Sequence, residues 1–86
     1  MARYRITYWR QIPSMVTAQA GDGSVAKVQL PQRFQELIDE EAMRLGMAGS
    51  GDYLEQWRQD EWQDAEGTPD EVATAVAARI EEEWKP

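Results

Sequence analysis

Between Leu30 and Gly46 the residues Phe34, Leu37, Ile38, Ala42 and Leu45 recur three and four apart, the most regular apolar spacing in the chain. That period predicts an amphipathic helix whose stripe seals a small core, with Arg33, Glu36, Asp39, Glu40 and Arg44 outside it. Pro31 suits a first helical position and Gly46 a left-handed stop. Glu41 falls inside the stripe, where a carboxylate needs a partner or a raised pKa. It is a candidate buried carboxylate, unless it leans out or ties to an arginine or tyrosine of the N-terminal stretch.

Upstream, Arg3–Arg10 alternates strictly, predicting a strand with Tyr4, Ile6 and Tyr8 towards the core and Arg3, Arg5, Thr7 and Trp9 opposite. Ile12-Pro13-Ser14 breaks the run, and Met15–Ala20 returns as a second, antiparallel strand. Gly21-Asp22-Gly23-Ser24 is a tight turn, followed by a shorter third strand, Val25–Leu30. Downstream of a connection over Met47–Gly51, Asp52 or Ser50 caps a second helix over 52–59, with Tyr53, Leu54 and Trp57 on a narrow apolar face and Trp62 off it. Residues 63–67 read as a polar loop with room for a short strand. Thr68-Pro69-Asp70-Glu71 has capping-box spacing and opens a helix to about Trp84, with Val72, Val76, Ile80 and Trp84 in a stripe beside Ala73 and Ala77. The expected architecture is α+β in one domain, 1–86. An antiparallel two- to three-stranded sheet over 1–30 precedes three helices (31–46, 52–59 and 68–84) packed on one face.

Composition narrows the chemistry. The chain has 86 residues, no cysteine and no histidine, which removes disulfides, thiolate nucleophiles, the usual neutral-pH acid/base and the commonest transition-metal ligand. Ser14, Ser24 and Ser50 therefore lack a histidine to activate them, and no Ser-x-x-Lys spacing supplies a lysine base. Acidic runs (Asp39/Glu40/Glu41, Asp60/Glu61/Asp64, Glu81/Glu82/Glu83) do not follow a calcium-loop spacing and read as a solvated surface. Gly49-Ser50-Gly51-Asp52 resembles a phosphate loop in outline, but Asp52 puts a negative charge where the anion would sit, so a plain turn is the better reading. No catalytic residue, metal or cofactor is expected.

Net charge is −7, unevenly spread. Residues 1–30 carry Arg3, Arg5, Arg10 and Lys27 against Asp22, a net +3, whereas the remaining five basic and fifteen acidic groups give −10. Nucleic acid is an unfavourable ligand for such a surface. No stretch approaches the roughly 18 apolar residues of a membrane span, and the first ten residues hold three arginines rather than an apolar signal core. The expected location is cytoplasmic. Four tryptophans are many for this length. Trp57 and Trp84 belong to apolar stripes, whereas Trp9 and Trp62 have no internal claim on them. With Arg5 and Arg10 they form the expected partner site, since Trp, Tyr and Arg are the residues enriched at interfaces.

The segments MARYRITYWRQIPSMV, LPQRFQELIDEEAMRLGMAG and DYLEQWR resemble a short bacterial domain family described as a virulence factor, or conserved-virulence-factor-related, family. The resemblance covers the first two-thirds of the chain, with the last helix agreeing in pattern. It implies a module that occurs free-standing or fused to repeat-containing partners, the free-standing form accompanying folate- and corrinoid-linked methyl-transfer enzymes. It implies no catalytic motif. The expected function is accordingly a small non-catalytic accessory or adaptor subunit that binds a protein, with a homo-oligomer left open. Alternatives are a subunit for a small anionic cofactor such as folate, bound by the Arg-aromatic strand, and an acidic mimic of nucleic acid.

Overall fold

The computed structural model describes residues 2–47 and 51–84. Strand β1 (Ala2–Trp9) and strand β2 (Ile12–Ala20) form an antiparallel hairpin, with Tyr4 opposite Ala18 and Ile6 opposite Val16. Pro13 therefore does not end the strand run as expected: it pairs with Tyr8, while Ser14 is the extra residue of a bulge at Thr7/Tyr8. In the turn before β3 (Val25–Gln29), the Asp22 Oδ1 accepts from the Ser24 N–H at 2.9 Å and Gly23 takes a left-handed φ of 94°. β3 pairs antiparallel with β2.

The far edge of β1 is occupied by two short strands, β4 (Trp57–Gln59) and β5 (Gln63–Ala65), giving a five-stranded antiparallel sheet in the order β3-β2-β1-β4, with β5 also against β1. The fold is thus α+β, but with a larger sheet than the two or three strands expected. The expected helix over 52–59 shrinks to α2 (Gly51–Glu55), because Trp57–Gln59 instead extends and pairs with Thr7–Trp9. Its Leu54, expected on an apolar face, is 69% exposed. Ala48, Gly49 and Ser50, part of the expected connection and including one candidate cap and half of the phosphate-like loop, lie outside the described residues.

Helix α1 (Gln32–Arg44) buries Phe34, Ile38 and Ala42. Pro31 sits at its N-cap, one position before that expected. At the other end Gly46, at φ 72°, donates to the Met43 carbonyl while Met47 donates to the Ala42 carbonyl, so two otherwise orphaned acceptors are satisfied. Helix α3 (Pro69–Glu83) starts in the expected capping box: Thr68 Oγ1 accepts from the Glu71 N–H at 3.2 Å and a Glu71 carboxylate oxygen from the Thr68 N–H at 3.1 Å. At its carboxyl end Arg33 of α1 donates to the carbonyls of Glu81 (2.7 Å) and Trp84, tying the two helices together.

Two apolar clusters result. In the larger, Val72, Ala73, Val76, Ala77 and Ile80 of α3, with Phe34 and Leu30, cover Tyr4, Ile6, Val16 and Ala18 of the sheet. In the smaller, Ile38 and Ala42 of α1 close over Trp9 and Ile12, with Leu45, Met47, Tyr53, Trp57 and Trp84 packed around them. The helices do not simply share one face. α3 lies along β1, β2 and β3, whereas α1 runs from the large cluster to the hairpin end. Among the described residues, no helix is long and apolar enough to cross a membrane.

Candidate functional site

Strand alternation and pairing register decide what the other side of the sheet presents. Arg3, Arg5 and Thr7 of β1 stand beside Gln19, Thr17 and Met15 of β2, which in turn stand beside Val25, Lys27 and Gln29 of β3. None of these residues belongs to either apolar cluster, and α3 packs on the opposite side. At the centre Thr17 is only 7% exposed, and the Thr7 Oγ1 is shielded with no hydrogen-bond partner among the described residues.

Trp62 reaches this outer side from the step between β4 and β5. The Asp60 N–H still donates to the Ile6 carbonyl at 3.0 Å and the Glu61 N–H turns back to Asp60 Oδ1, so residues 60–62 leave the ladder while staying against β1. The result is a stack: the guanidinium carbons of Arg3 and Arg5 lie 4.6 and 4.4 Å from the centroid of the Trp62 ring. Each such cation–π contact contributes about 0.5–1 kcal/mol at an exposed site. Arg3 also donates to Gln19 Oε1 at 3.0 Å, whereas Arg5 Nε is shielded and donates to nothing among the described residues. Asp64 faces Arg3 across the β1–β5 register but forms no ion pair with it.

The four expected partner-site residues are thereby separated. Arg5 and Trp62 meet, with Arg3 as a third member that the strand alternation already placed on Arg5's side. Trp9 is a correction: it is 0% exposed, packed by Ile38 and Ala42, with its indole N–H donating to the Tyr53 carbonyl at 2.9 Å. Its side of β1 is open at Arg3 and Arg5 but covered at the hairpin end by α1 and the Tyr53–Trp57 segment. Arg10 sits in the hairpin turn itself, at a φ of 57°. That left-handed conformation is held from three directions: its N–H and Nη1 donate to the Gln56 carbonyl and Oε1, at 3.0 and 3.2 Å, and its own carbonyl accepts from Arg58 Nε at 2.9 Å.

Glu41 leans out of the stripe and pairs with Arg44, three residues on, rather than with a strand arginine. Its side chain is 23% exposed, so it is not a buried carboxylate, and the Arg44 hydrogen bond holds its pKa below the ordinary range, with Arg44 and Arg10 charge adding to the effect. On the helix-covered side, at the β4/β5 edge, the Tyr4 hydroxyl donates to Gln63 Oε1 at 3.2 Å and accepts from Arg79 at 3.4 Å. Beside it Arg58 lies 4.4 Å over the Tyr8 ring. Burial, and then the Asp60 charge, raise the Tyr8 pKa, which keeps this phenol neutral rather than activating it as a base or nucleophile. Among the described residues no three acidic side chains gather where an ion could be held.

Residues 7–86 match the model of a family described as "Virulence factor". The chain belongs to the virulence factor family. No curated protein and no solved structure matches it significantly. In this virulence factor domain the matched span begins at Thr7, inside β1, so Trp62 lies within it and Arg3 and Arg5 precede it.

Proposed function

We propose that this virulence factor domain is a non-catalytic accessory subunit that docks a protein partner on the side of its sheet opposite α3, away from the hairpin end that α1 covers. The observation that carries the reading is the Arg3–Trp62–Arg5 stack: an aromatic ring and two guanidiniums, the groups most enriched at binding hot spots, standing outside both helix-covered apolar clusters. The composition supports the absence of catalysis, since there is neither histidine nor cysteine and the partly buried Tyr8 is biased towards its neutral form. An enzyme of folate- or corrinoid-linked one-carbon transfer is the first partner to try, on the strength of the family resemblance.

A photo-crosslinking residue placed at Lys27, on the outer side, and another at Glu82, on the exposed side of α3, test this in native extract. One specific adduct from position 27 and none from position 82 is expected, and Trp62→Ala should weaken capture by about 1–3 kcal/mol. Adducts from position 82 alone would move the interface to the helices. A small anion held by the same arginines is the second reading, favoured by the lack, among the described residues, of any carboxylate paired with either. Saturable heat on titration with folate, lost in Arg5→Ala, would establish it instead.

A further inference from the structure

From the charge of this side we infer that the partner docks through an acidic segment, whose carboxylates engage Arg3 and Arg5 beside Trp62 and reach Lys27 across the sheet. The inference rests on the protein-docking reading above and specifies its chemistry.

The outer side opposes the rest of the molecule in sign. Register places Arg3, Arg5 and Lys27 there, with Asp64 the acidic residue beside them, in a chain whose net charge is −7. With acidic residues outnumbering basic ones in the sequence, the cations of this side still go unpaired: among the described residues the one ion pair is Arg44–Glu41. Arg3 donates to a neutral amide, and Arg5 Nε, although shielded from solvent, has no acceptor among the described residues. Two guanidiniums on one ring also repel each other, and an incoming carboxylate would relieve that repulsion. The contact with the Trp62 ring meanwhile restrains both side chains, so less side-chain entropy remains to be lost on binding.

The same arithmetic argues against a long polyanion. Nucleic acid binding gains from many phosphate contacts along an extended basic track. Here three cations are bordered by Asp64 and by Glu61 next to Trp62, so a duplex or long single strand would meet repulsion just beyond the stack. A short acidic stretch of protein can match three cations and stop.

The test is a titration of isotope-labelled full chain by NMR with a synthetic octapeptide alternating Glu and Val, against the same peptide with Gln for Glu and against an octathymidylate. Saturable shifts at the amides of Arg3, Arg5 and Thr17 and at the Trp62 indole are expected from the Glu peptide alone, lost at 0.5 M salt. Binding should fall at least about tenfold in the Arg3→Gln/Arg5→Gln double variant, and also in Lys27→Glu, whose exposed site keeps the fold intact. Equal shifts from the Gln peptide, tighter binding of the oligonucleotide, or concentration-dependent shifts without peptide, which would mean self-association, each overturn the inference. A partner crosslinked from position 27 whose binding ignores salt and Lys27→Glu would leave the docking reading standing and sink the acidic segment. Peptide binding with no crosslinked partner would do the reverse.

Discussion

Trp9 and Trp62 belong to the same side of the sheet and live in opposite surroundings. Trp9 stands on the side of β1 that carries Arg3 and Arg5, yet Ile38 and Ala42 close over it, and Tyr53 accepts its indole hydrogen. Trp62 comes to that side from an excursion between two short strands and stacks against two guanidiniums. The difference is made by α1, which crosses from the large cluster to the hairpin end and leaves the middle of the outer side bare. A strand's side is therefore not one environment along its length, and one sheet side here serves as core at the hairpin end and as surface elsewhere.

The sharpest way to break this contrast is to truncate each ring. Trp9→Ala should cost about 3–5 kcal/mol of stability in urea melts, the range for emptying a buried aromatic site. If it cost less than Trp62→Ala, the assignment of the two environments would be inverted. Arg33→Met asks whether α1 is held in place from α3. Losing the two bonds to the Glu81 and Trp84 carbonyls should cost about 1.5–3 kcal/mol. A red shift of Trp9 emission, read in a variant with the other tryptophans replaced by Phe, would accompany it.

Thr68→Ala gives a calibration on the helix-covered side: loss of the N-cap bond should cost about 1 kcal/mol by thermal melting, with no change at the Trp62 indole. Trp62→Ala itself should cost about 1–2 kcal/mol, from two cation–π contacts of about 0.5–1 kcal/mol each. A larger loss would show the stack to be structural. The smallest effect is electrostatic and belongs to the hairpin end. Glu41 is held below the ordinary 4.5 by the Arg44 hydrogen bond, so its contribution to stability is present above that value and is lost as pH falls through the lowered one. Glu41→Gln should flatten that limb of a pH–stability curve.

What the sequence disclosed was local. The period of Phe34, Ile38 and Ala42, the Gly46 stop and the Thr68–Glu71 box each need only a few neighbouring residues, and all appear in place. The inward set Tyr4, Ile6 and Tyr8 followed from alternation in the same way. Gln63–Ala65 fills the room left for a short strand in 63–67, but Trp57–Gln59 could not be read, because a three-residue strand has no measurable period and exists only through its pairing with β1, roughly fifty to sixty residues upstream. Trp9 was misplaced for a related reason: alternation assigns a side, whereas burial depends on which helix arrives there. Of the candidate site, Arg5 and Trp62 were legible as residues without internal partners, but their meeting depends on the break in the β1 edge.

That break has a consequence for assembly. A continuous strand at this edge would expose a row of free N–H and C=O groups able to recruit a strand from another molecule. Residues 60–62 interrupt the row after three residues and resume it for only three more, so neither piece is long enough to seed a growing ladder. Strand exchange or fibrillar stacking would instead have to begin at β3, where Lys27 repels its own counterpart in an approaching copy.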